Sequence, residues 1–137
     1  MYARNATDPR CERVAAWLEQ ALNGPARVGL AWPVLTGFVR IATNARIMSR
    51  PLPPTAAWAQ VEEWLDAPCS WVPTETPQHA RVMGQLIARH DLSGPIVSDA
   101  HLVALAIEHG VAVASTDGDF ARFDEIQWIN PLREPLE

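Results

Sequence analysis

Apolar residues recur at spacings of three and four through five stretches of the chain, and four short apolar runs lie among them. From Pro9 to Leu22 the stripe is Cys11, Val14, Ala15, Leu18, Ala21 and Leu22, which predicts a helix. Asp8 has the form of its N-cap, Pro9 of its first residue, and Asn23-Gly24 ends it. "PVLTGFVRIATN", 33 to 44, opens with Pro and closes with Asn, the right order for a second helix whose weak point is Gly37. Trp58, Val61, Trp64 and Leu65 mark a third over 55–67, and Ala80, Met83, Leu86 and Ile87 a fourth over 77–90. Ser98 is a natural N-cap for a fifth, "DAHLVALAIEHG".

The runs "RVGLAW" (27–32), "SWVPTE" (70–75), "VAVAST" (111–116) and "IQWINPL" (126–132) predict strands, Pro73 demoting part of the second; 45–54 is a loop. Helices and strands thus alternate, which favours an α/β fold with a parallel sheet flanked by helices. With no repeat, low-complexity tract or linker, residues 1–137 are expected to form one domain.

Composition narrows the class. At 137 residues, 48% hydrophobic and 20% charged, the chain suits a single core and not a disordered segment. Cys11 and Cys69 match no metal spacing and are expected as buried thiols, not a disulfide. No apolar run approaches the roughly 20 residues that span a bilayer, so a soluble cytoplasmic protein without a membrane partner is expected. The net charge of −5 argues against general nucleic-acid affinity, which needs clustered cations. All eleven cations are arginines, so a local phosphate-binding rim stays compatible with that balance, as do ordinary surface arginines.

The candidate chemistry is acidic. Ligands of open parallel sheets bind beyond the carboxyl ends of strands. Asp117 falls just past the end of the 111–116 strand and Asp119 two residues on, while Asp99 falls in the first turn of the preceding helix. Taken singly, Asp99 complements a helix dipole, worth about 0.3–1 kcal/mol, and Asp117 and Asp119 form a turn. Together, one crossover apart, they suit a hard cation such as Mg²⁺ or Mn²⁺. His101 and His109 share a helix at a spacing that suits no common ligand set, and His79 and His90 form no cluster. No phosphate-cradling glycine loop, nucleophile elbow or zinc motif is present.

"SDAHLVALAIEHGVAVASTDGDFARF", ending in "IQWINPL", resembles the carboxyl half of PIN-domain ribonucleases, specifically the VapC toxins of VapBC toxin–antitoxin modules. "VGLAWPVLTGFVRIATNARIM" is similar to a stretch of one VapC branch, so the resemblance covers essentially the whole chain. It implies a PIN-like three-layer sandwich and a Mg²⁺-dependent endoribonuclease, with Mn²⁺ as an alternative metal. Asp99 and Asp117 correspond to catalytic acids, with Asp119 an auxiliary ligand; Ser98 and Thr116 would orient the carboxylates, and Arg40 and Asn44 would approach RNA phosphate. The resemblance further implies a homodimer and a VapB-like antitoxin received by the helices 9–22 and 33–44, with Trp17 and Trp32 as anchors.

Two departures from the family pattern stand out. PIN domains carry a first acid in an opening central strand, whereas "MYARNATD" offers only Met1 to Ala3 before a polar loop. The sheet is therefore expected to lack its N-terminal central strand, through a late-called start or a truncation. Gly37 also falls where many relatives place a glutamate. These departures sustain an alternative, a catalytically inactive PIN-like protein-binding module. Retention of Asp99, Asp117 and Asp119 opposes it. A phosphatase using the D-x-D is weaker, because such enzymes place that motif after their first strand.

Overall fold

A computed structural model describes the backbone of residues 9–131 and the side chains of residues 16–131. The chain divides between Val72 and Pro73 into two compact units. Met1 to Ala3, Asp8 and Leu132, the last residue of the 126–132 run, lie outside the described residues, and with them the expectation of a missing N-terminal strand.

The first unit contains α1 (Pro9–Leu22), β1 (Val28–Gly29), α2 (Trp32–Ala42), α3 (Pro54–Leu65) and β2 (Ser70–Trp71). Prolines set its helix starts: Pro33 and Pro54 fall in the first helical positions, where a missing N–H leaves no bond unmade. Leu35, Phe38, Ala57, Val61 and Trp64 join Leu22 and Leu30 in the core. Phe38 meets Trp64 edge to face, with centroids 4.7 Å apart, a geometry worth about 0.5–1.5 kcal/mol beyond its area. On α3 the buried face is Ala57, Gln60, Val61 and Trp64. The sequence pattern placed Trp58 on that face; it lies one residue off the stripe, about 100° around the helix, and stacks in the open on Trp32.

The second unit contains α4 (His79–His90), α5 (Ile96–His109), β3 (Val113–Ala114), a 3₁₀ helix over Gly118–Arg122 and β4 (Trp128–Ile129). Its core joins Val82 and Leu86 of α4 to Ala100, Val103 and Ala104 of α5, closed by Phe120 and Phe123. Ala80 and Ile87, expected on the inner face of α4, are exposed; Val82 takes that place. Asp91 at φ 51° and Gly94 at φ 74° reverse the chain between the two helices. Gly110 at φ 66° ends α5, as left-handed glycine caps do.

The architecture is α/β with parallel pairing, but the expected single sheet is two separate pairs. Val28 pairs with Ser70 and Gly29 with Trp71; Val113 pairs with Trp128 and Ala114 with Ile129. Each ladder is brief because its sequence stops it. α2 begins at Trp32, Pro73 follows the second run, and residues 115–119 turn away into the 3₁₀ helix. No helix among the described residues is long and apolar enough to cross a membrane. Cys69 is a free, half-buried thiol whose Sγ donates to the Leu22 carbonyl at 3.0 Å.

Candidate metal centre

α5 begins at Ile96 with Pro95 as its cap, three residues before the start that the sequence suggests. Ser98 is therefore inside the helix and not its cap; the turn at Gly94 and Pro95 begins the helix first. Asp99 still falls in the first turn. The other side of the site is built by the β3–β4 ladder, in which Ser115 N–H donates to the Ile129 carbonyl at 3.0 Å. Trp128 Nε1 donates to the Ser115 carbonyl at 2.9 Å and fixes the strand's carboxyl end.

Two residues beyond, Asp117 caps the 3₁₀ helix, its Oδ1 accepting the Asp119 N–H at 2.9 Å. The Asp117 N–H in turn donates to Ser115 Oγ at 3.1 Å. The turn-forming role of Asp117 is thus real, and it leaves carboxylate oxygen free for a second one. One oxygen from each of Asp99, Asp117 and Asp119 lies within 4.8 Å of the others. Burial pushes the Asp99 carboxyl above its ordinary pKa, and the charges of Asp117 and Asp119 push it further.

Among the described residues no arginine or histidine pairs with these three acids. A second acidic group, Asp124 and Glu125 with His90, behaves differently. Arg89 pairs with Asp124 at 2.9 Å and with Glu125 at 3.1 Å, and His90 Nε2 meets Glu125 at 2.9 Å. Arg89 offsets charge in that group, whereas among the described residues no cation pairs with the Asp99 group. Three hard oxygen donors fit a divalent cation. Asp99, Asp117 and Asp119 would hold such an ion directly or through water.

The structure brings Asp99, Asp117 and Asp119 together and leaves the other sequence candidates outside their contacts. Ser98 and Thr116 make no hydrogen bond to a carboxylate among the described residues. Ser115 braces Asp117 instead, a serine–turn contact two residues upstream of the aspartate that the "STD" string carries. Arg40 and Asn44 belong to the first unit; Arg40 is exposed in the last turn of α2, and Asn44 Oδ1 accepts the Arg46 N–H at 2.9 Å.

Two of the four histidines, His79 and His101, meet, contrary to expectation. His79 Nδ1 lies 2.6 Å from Glu108 Oε2, its ring centroid is 4.9 Å from that of His101, and His101 Nε2 is 3.2 Å from Glu75. No local pattern signals this contact, because His79 and His101 lie on different helices.

Comparison with known proteins identifies the family. The PIN domain family model matches residues 1–126. Ribonuclease VapC37 of Mycobacterium tuberculosis strain H37Rv is 40% identical over 131 residues, covering 96% of this chain and 91% of that protein. Ribonuclease VapC33 of the same strain is 39% identical over 134 residues, covering 98% and 94%. VapC ribonuclease Mb2897 of Mycobacterium bovis is 36% identical over 115 residues, covering 84% and 78%. With an acidic centre at a strand's carboxyl end, parallel pairing throughout and a family match over most of its length, the chain belongs to the PIN-domain family.

Proposed function

We propose that the chain is a Mg²⁺-dependent endoribonuclease toxin of the VapC kind, acting in the cytoplasm as a homodimer and neutralised by a cognate VapB-like antitoxin. The observation that carries this is the convergence of Asp99, Asp117 and Asp119 with no cation paired to them among the described residues. The names of the relatives, ribonucleases in each case, supply the reaction class.

Asp99 and Asp117 would hold the metal directly or through water, with Asp119 completing the acidic wall. The bound metal supplies an acidified water and neutralises charge on the scissile phosphate. The chain's own contribution is positional. Ser115 fixes Asp117 through its backbone, the 3₁₀ cap fixes Asp119 relative to Asp117, and the first turn of α5 fixes Asp99. On the first unit, Trp32, 43% exposed and stacked on Trp58, is the aromatic anchor for the antitoxin; Trp17 on α1 is half-buried.

The test is cleavage of total cellular RNA by the purified chain with Mg²⁺, Mn²⁺ or EDTA, beside Asp99→Asn. Cleavage is expected with either metal and is expected to vanish with EDTA and in the variant. Undiminished cleavage by Asp99→Asn would overturn the proposal.

A further inference from the structure

Beside the acidic centre lies an open depression of about 440 Å³ lined by Ser93, Pro95, Ile96, Gly118, Asp119 and Arg122. Asp119 belongs to both, so the depression borders the metal site directly. Its size is within the range of about 300–1,000 Å³ typical of small-ligand sites, room for one nucleotide.

The lining is divided chemically. Pro95 and Ile96 form an apolar side, Ser93 offers a hydroxyl, and Arg122 is the sole cation. Arg122 is exposed and has no ion pair or hydrogen bond among the described residues, unlike Arg89, which serves two carboxylates. Gly118 contributes no side chain: a Cβ built there meets no atom within 4 Å, so the space above its backbone is open.

We infer that this depression is a nucleotide subsite in which Arg122 binds the RNA phosphate next to the scissile one. The inference rests on the ribonuclease proposal and names where its substrate lies. Three carboxylates repel a polyanion, and the chain as a whole carries a net charge of −5. Binding of RNA therefore needs a cation beside the acids, and Arg122 is the unpaired one in the adjoining cavity. Its planar fork suits a phosphate's paired oxygens. The apolar side receives the sugar or base without a fixed hydrogen-bond pattern, which makes Arg122 a positioning residue for backbone and not a reader of sequence.

The test is binding of a labelled single-stranded RNA oligonucleotide of mixed sequence by fluorescence anisotropy across a salt series. The unaltered chain in EDTA, where cleavage is expected to vanish, keeps the probe intact. Adding Arg122→Gln is expected to weaken binding about tenfold and to flatten the dependence of log K on log salt by about 0.7, one phosphate contact on a single strand. Arg122→Lys is expected to restore that slope. Gly118→Leu, which fills the depression without a charge change, is expected to weaken binding and leave the slope intact. Arg81→Gln, the same charge change on α4, serves as the control and is expected to have little effect. Unchanged affinity and slope in Arg122→Gln, or an equal loss in Arg81→Gln, would overturn the subsite and leave the ribonuclease proposal standing. If the unaltered chain bound no RNA in EDTA at any salt, the subsite would fall; cleavage of the same probe with Mg²⁺ would then keep the ribonuclease proposal, and no cleavage would overturn that as well.

Discussion

At the scale of single residues, Asp99 shows how a site is assembled at a cost to the fold. Its carboxyl is partly buried and faces two further carboxylates, and both effects raise its pKa. Removing its charge should therefore help the metal-free protein and harm the metal-bound one. Asp99→Asn is expected to melt no lower than the parent in EDTA and to lose the rise in melting temperature that Mg²⁺ gives the parent. Its metal affinity, measured by calorimetry, should fall about 100-fold or more, the upper end of what even outer partners of a metal cost. A variant that melts well below the parent in EDTA would show that Asp99 serves the fold. The positions of the three acids were legible in the sequence because strand ends and helix starts are strong local signals. Their supports were not. Ser98 and Thr116 are the nearest hydroxyls in sequence, yet a cap set at Pro95 moves Ser98 into the helix, and the turn after β3 uses Ser115.

At the scale of elements, the five helices were legible to within three residues. The strands were legible as places and not as lengths, because a buried run of five or six apolar residues fits a long ladder as well as a two-residue one. Nor did any local pattern reveal what fastens α4 to α5. Glu108 does so: its side chain is 1% exposed, Oε1 accepts from the Thr76 N–H at 2.9 Å and hydroxyl at 2.7 Å, and Oε2 meets His79 Nδ1 at 2.6 Å. Those partners are remote in sequence, so only the fold discloses them. Burial pushes the Glu108 carboxyl up, but the Thr76 and His79 hydrogen bonds outweigh it and hold the group below its ordinary value. A carboxyl lowered by folding adds stability that is present above its unfolded pKa, about 4.3, and lost as pH falls through the folded value. Urea titrations are expected to show that loss below about pH 4.3. Glu108→Ala, which strands the Thr76 and His79 donors, is expected to cost about 1–3 kcal/mol at pH 7 and to flatten the acid dependence. An unchanged acid limb in Glu108→Ala would assign that limb to other carboxylates.

At the scale of the whole molecule, the question is whether 137 residues behave as one domain or as two units that happen to share a chain. Each unit has its own core, with Leu35 in the first and Leu86 in the second. Among the described residues each also has one two-residue parallel pair. Units of this size bury only about 60% of their unfolded surface, and isolated two-stranded pairing is marginal in water. The family model meanwhile spans the division at Val72, matching residues 1–126 as a unit of its own. We therefore propose one cooperative domain. Leu35→Ala and Leu86→Ala should each cost about 2–5 kcal/mol and lower a single calorimetric transition whose van't Hoff and calorimetric enthalpies agree. Mg²⁺ should sharpen the test, because the acidic centre lies wholly in the second unit. A ligand of the native state stabilises everything that unfolds with it. If the domain is one, Mg²⁺ raises the transition of Leu35→Ala as much as that of Leu86→Ala. Two transitions, with Mg²⁺ moving only the one that Leu86→Ala lowers, would make the first unit an independent body and break the proposal.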